Sequence, residues 1–173
     1  MDKKLNWINE AFSRNLLIME DGQPVGGMHR NAFSRDVDAH LHGLRIRFDV
    51  TGFLIHRVNI HDVANDDRII GHIQFHFGKR AELRLENGEC YEWKRHNILM
   101  RDWDMIREDP DDQEREVVSY SRSRQFFSDQ GDIRLEDNRP TAPLVLLTGL
   151  FIRNYFQRRR RMAAVGVLAA AGA

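Results

Sequence analysis

The chain has 173 residues, 42% hydrophobic and 30% charged, the composition of one globular domain with a sizeable core. Its 26 basic and 26 acidic side chains cancel, so no overall charge excess directs it to nucleic acid or to a strongly charged substrate. Cys90 is alone and excludes an internal disulfide, which fits a reducing cytoplasm, and the N-terminus lacks the apolar run of a signal peptide, so secretion is not expected.

Along the chain, the first predicted strands are 16–20, 25–30 and 32–38, with Asp21-Gly22 as a turn. The signal is stronger in 44–50, where Leu44, Ile46, Phe48 and Val50 alternate with Arg45, Arg47 and Asp49, a period of two that half-buries a strand. A strand over 52–60 follows. In 69–77 the residues Ile69, Gly71, Ile73, Phe75 and Phe77 share one face and His72, Gln74 and His76 the other. The next hairpin fixes its own register. A loop of Glu86, Asn87 and Gly88, with Gly88 left-handed, puts Ala81, Leu83, Tyr91 and Trp93 on one face. A two-residue Asn87-Gly88 turn would split that set, and a one-residue slip moves a whole apolar face into water. Weaker strands are expected at 100–108, 116–122 and 131–136, with turn-forming Asp109 to Asp112 and Ser128 to Gly131 between them.

The pattern then changes. Pro143 to Ile152 is apolar on every side, and Thr141 as N-cap with Pro143 in the first turn predicts a helix. A helix apolar all round is buried in protein or spans a membrane, and a run of ten is short against the roughly 20 residues a span needs. Burial is expected. The chain is therefore one domain over 1–173: strands over about 16–137, a central helix over about 142–160, and a small apolar tail over 162–173.

Three features resemble the tubby C-terminal-like superfamily, which includes the phospholipid scramblases, the plant LURP-one-related proteins and many bacterial proteins. They are the succession of short strands, the hairpin from Lys79 to Tyr91, and Ala142 to Ile152 preceded by Gly131-Asp132-Ile133. The resemblance covers 16–157 and implies a mainly β fold, a closed antiparallel barrel of about 12 strands around a buried apolar C-terminal α-helix. It implies no particular site, because no residue set matches a lipid headgroup pocket, and a scramblase-type cysteine-rich segment is absent.

Of eight histidines, His40 and His42 form the best metal pair, since a strand would set both rings on one face about 7 Å apart. The competing reading is a pair of polar residues on a wet sheet face. No nucleophile–base or phosphate-loop signature appears around Cys90 or Gly26-Gly27, and Asp109, Asp111, Asp112 and Glu114 lack EF-hand spacing. The most distinctive charge feature is Arg158-Arg159-Arg160-Arg161. It reads as a solvated helix end, as an anionic membrane or headgroup contact, or as a site for nucleic acid or an acidic protein partner. The expectation is a cytoplasmic, non-enzymatic binding module, peripheral at the membrane if its ligand is anionic phospholipid, with a protein partner as the other candidate and no nucleic acid. No cofactor is implied. Two alternatives stand beside it: a metal-dependent enzyme using His40 and His42, and a membrane anchor through 142–156.

Overall fold

The structure, a computed structural model, describes residues 4–10, 13–50, 57–96, 101–108, 113–124 and 128–171. Among them are β1 (Leu5–Glu10), β2 (Asn15–Glu20), β3 (Gln23–Arg30), β4 (Val37–Leu41), β5 (Leu44–Asp49) and β6 (Arg57–Asp62). They continue with β7 (Arg68–His76), β8 (Arg80–Leu85), β9 (Cys90–Arg95), β10 (Asp102–Glu108), β11 (Glu114–Arg124) and β12 (Ser128–Leu135). Each strand pairs antiparallel with its neighbours in sequence, and β1 also pairs with β12, so the sheet closes into a 12-stranded barrel. One helix, α1 (Ala142–Ala171), follows.

Alternation fills this barrel. Trp7, Ile18, Ile46, Phe48, Val58, Ile60, Ile73, Leu83, Trp93, Trp103 and Tyr120 all point inward and are buried. The first turns of α1 occupy the lumen, because Val145, Leu146, Leu147, Leu150 and Ile152 lie on different sides of the helix and all are inaccessible. Only a surround can bury every side of a helix, and α1 contacts β4, β8, β9, β10 and β11. Phe151 stacks on Phe48 with ring centroids 4.2 Å apart, and the Tyr120 hydroxyl donates to the Leu146 carbonyl at 2.8 Å. The sixteen residues 142–157 are about 24 Å long at 1.5 Å per residue, matched to the roughly 26 Å of the eight-residue β12. The helix therefore crosses from an inlet rim, beside Leu5, Glu20, Leu85 and Leu135, to an outlet rim, beside Arg30, Asp49, His76 and Arg95.

The hairpin register stands as expected: Ala81 faces Trp93, Leu83 faces Tyr91, and Gly88 has φ +91°. Other expectations need correction. The bulge where β7 pairs with β6 inserts one extra residue, so Ile70 packs against the core while Ile69 is 45% exposed. Phe77 lies beyond β7 in the turn and is 96% exposed. Residues 32–36 form a loop instead of the start of a strand. There Asn31 accepts from the Phe33 N–H, Ser34 from the Asp36 N–H and Asp36 from the Val50 N–H, each at 3.0 to 3.2 Å, which replaces ladder bonds. The strands begin at Leu5, before the expected position 16. Finally, α1 continues past 160 to Ala171 as one helix, taking in most of the expected tail. Residues 51–56, where the strand over 52–60 was expected to begin, lie outside the described residues, as does Met100.

Candidate functional site

The site is built where α1 leaves the barrel. Tyr155 and Phe156 close the lumen, their rings 4.2 Å and 5.6 Å from Phe75, with Phe156 also 5.3 Å from Trp93. On the side facing β12, Arg153 is 0% exposed and makes a bidentate pair with Asp129 at 2.5 and 2.6 Å, while its guanidinium lies 5.5 Å from Trp7 and 5.1 Å from Trp103. Beyond this point the helix becomes exposed, and the arginine run begins.

Arg158, Arg160 and Arg161 lie near residues at the strand ends around the rim, and Arg159 lies on the helix itself. Arg158, half-buried, is pushed down to about 10 by burial and by the charge of Arg30 on β3, with Tyr155 opposing. Lys79, in the turn between β7 and β8, is lowered by burial and by the charges of Arg160 and Arg95. Arg159 lies 5.9 Å over the Tyr155 ring. Arg161 reaches the neighbourhood of Asp129, which Arg122 of β11 also engages at 2.8 Å. One carboxylate thus serves Arg153 and Arg122 and feels Arg161. Among the described residues, no acid forms an ion pair with Arg158, Arg159, Arg160, Arg30 or Lys79. The run does not end the helix, because α1 continues to Ala171; it lies at the rim, where Arg30 and Lys79 add further cations. Such a cluster creates a local positive potential at the rim.

The opposite rim is acidic. Glu20 ends β2 and Asp21 follows it, Asp62 ends β6, Asp66 and Asp67 lie between β6 and β7, and Glu86 and Glu89 lie in the loop between β8 and β9. Asp137 there takes Arg107 at 3.2 Å, and Glu89 takes Arg139 at 3.0 Å and the Tyr91 hydroxyl at 2.9 Å. These bonds tie the chain leading into α1 to the strands. The Tyr91 hydroxyl lies 3.3 Å from Thr141 Oγ1, and the Thr141 carbonyl accepts the first helical bond from Val145 at 3.0 Å.

The histidine pair is arranged differently from expectation. β4 ends at Leu41, and His42 and Gly43 form a two-residue hairpin turn with φ +47° and +87°. His40 is exposed on the outer face of β4, paired across the strands with Gly27 and Arg45, and His42 lies 3.7 Å from Glu20. The shared strand face on which the pairing rested does not form. Among the described residues no three histidine, cysteine or acidic side chains are grouped to hold a metal ion. Of the acids considered for calcium, Glu114 pairs with Lys94, while Asp109, Asp111 and Asp112, like His56 of the eight histidines, lie outside the described residues. Cys90 is exposed and its thiol donates to Glu82 at 2.9 Å. Residues 144–156 are enclosed by the barrel, and no helix among the described residues is long and apolar enough to cross a membrane.

No protein-family model, no curated protein and no solved structure matches the chain.

Proposed function

We propose that the protein is a non-enzymatic binding module that docks by its outlet rim on an anionic surface, with phospholipid headgroups as the ligand. One observation carries this reading: Arg158 lies near Arg30, and Lys79 near Arg160 and Arg95, with no acid paired to Arg158, Arg160, Arg30 or Lys79 among the described residues. Gathered cations repel one another, and an anion placed among them relieves that repulsion. Near an anionic membrane each arginine contributes on the order of 1 kcal/mol. The acidic inlet rim orients the barrel with α1 pointing at the surface. The resemblance to the tubby C-terminal-like superfamily points the same way, because some of its members bind or act on lipids.

The test is flotation of the full-length protein with vesicles of phosphatidylcholine, alone or mixed with phosphatidylserine. Binding is expected only to the anionic vesicles. It should be lost when Arg158 to Arg161 are all replaced by glutamine, and weakened by Arg30→Gln with Lys79→Gln. A wild-type protein that ignores both vesicles overturns the reading.

A further inference from the structure

Two aromatic rings at the outlet stand in solvent. Phe33, between β3 and β4, and Phe77, between β7 and β8, are 102% and 96% exposed, and Met162, the residue after the arginine run, is 77% exposed. Among the described residues these are the three most exposed large apolar side chains; the next two, Leu17 and Ile69, lie within strands and are less than half exposed. A single apolar side chain on a surface is ordinary. Here three gather at one end of the barrel, the end that also gathers the cations.

The local chain holds both rings out. β7 sends Ile73 and Phe75 into the lumen, and the same period would send Phe77 after them, but the ladder ends at His76 opposite Arg80. A turn through Gly78 and Lys79, with φ +78° and +60°, then leaves the ring beyond the rim. In the 31–36 loop the Asn31 side chain accepts from the Phe33 N–H at 3.0 Å, and the Asn31 N–H donates to the Asp36 carbonyl at 3.0 Å. Neither ring contributes burial to the barrel's own core.

Cations separate the rings. Arg30 lies three residues before Phe33 and Lys79 two after Phe77, and Arg158 and Arg160 of α1 lie near these two cations. The two turns are four strands apart in a ring of twelve, about 19 Å along the rim at roughly 4.8 Å per strand. That is not one apolar patch for a protein groove to cover. Separate apolar tips set among cations match a bilayer, which presents anionic phosphates along its whole plane and acyl carbon just beneath them. Beyond Arg161, α1 runs from 162 to 171 without a charged residue, at most about 15 Å at 1.5 Å per residue, half of the roughly 30 Å hydrocarbon thickness. It enters the same leaflet as the rings instead of holding the rim away from it.

We infer that the outlet rim inserts into the anionic membrane, with Phe33, Phe77 and Met162 at the boundary between headgroups and acyl chains and the arginines among the phosphates. This rests on the rim reading proposed above and adds an apolar contact to it. Salt then weakens binding without abolishing it, because at about 1 M the screening length falls to roughly 3 Å while apolar burial persists.

The test uses the full-length protein on vesicles of phosphatidylcholine mixed with phosphatidylserine. Wild type bound at low salt is expected to stay in part on the vesicles when sodium chloride is raised to about 1 M. Phe33→Ser with Phe77→Ser, at fully exposed positions, should keep the wild-type melting temperature, bind at low salt on the order of tenfold more weakly, and be released completely at high salt. Depth is read separately. Trp7, Trp93 and Trp103 are buried inside the barrel, so bromines on the lipid acyl chains should quench only the emission added by Phe33→Trp or Phe77→Trp. Binding at low salt that salt removes completely, or added tryptophans that the bromines do not quench, would overturn insertion and leave the rim reading standing. No binding to anionic vesicles at low salt would overturn both. A double serine variant that binds vesicles like wild type but sediments differently would assign the rings to a protein contact, which also overturns the inference.

Discussion

Asp129 serves two arginines at once, Arg153 and Arg122. Burial pushes its pKa up, yet the hydrogen bonds and charge of Arg153, with the charges of Arg122 and Arg161, bring it below the ordinary carboxylate value. A carboxyl depressed in the folded state contributes stability above its unfolded value of about 3.9, and that stability is lost as pH falls through the lower folded value. Asp129→Asn would leave the buried Arg153 without its counter-charge, a loss of about 3–5 kcal/mol for a buried pair broken on one side. Urea unfolding at neutral pH should read that loss, and the acid limb of the stability profile should flatten in the variant. Adding Arg153→Met to Asp129→Asn should restore part of the stability, because it removes the stranded charge and leaves an apolar side chain between Trp7 and Trp103. A double variant no more stable than Asp129→Asn alone would show that the pair is not what stabilises this end of the lumen.

Within α1, Gly149 reverses a general rule. Alanine in a helix interior is ordinarily about 1 kcal/mol better than glycine. Here a Cβ would lie 2.3 Å from the Tyr120 hydroxyl, whose bond to Leu146 helps hold the helix in the barrel. Gly149→Ala should therefore lower the melting temperature, and Tyr120→Phe in the same chain should recover part of the drop. The elements themselves were legible to different degrees, for physical reasons. The 81–93 hairpin could be placed to the residue because only one register keeps Ala81, Leu83, Tyr91 and Trp93 together. The bulge at Ile70 was invisible, because nothing in the alternation of 69–77 marks the residue that drops out of the ladder. β1 was missed because Ile8, apolar yet beside inward-facing Trp7, blurs its period. The extent of α1 was misread because four arginines look like a helix end. The candidate site was half legible. The arginine run stands out in one dimension, but Arg30, Lys79, Arg95 and Arg122 are scattered over the chain, and only closure of the barrel brings them to the same rim.

A neutral total conceals a molecule with unlike ends. Acids predominate around the inlet and cations around the outlet, although Asp36, Asp49 and Asp129 lie at the outlet and Arg107 and Arg139 at the inlet. Because the outlet cations repel one another in the folded state, an anion that binds them should stabilise the whole barrel. Inorganic pyrophosphate is expected to raise the melting temperature of wild type, and to do so far less once Arg158 to Arg161 are glutamine. Equal shifts in both proteins would mean that the rim does not collect anions. The seam of the barrel has a further consequence, in time. Leu5 pairs with Ile133, while the helix that fills the lumen begins only at Ala142. A chain emerging from a ribosome must hold its first strand unpaired on one edge until the twelfth has been made, and the lumen has no filling until α1 follows. Contacts this distant in sequence make folding slow and leave strand edges open meanwhile. Protease resistance of a stalled nascent chain should therefore appear late and in one step, after α1 has cleared the exit tunnel.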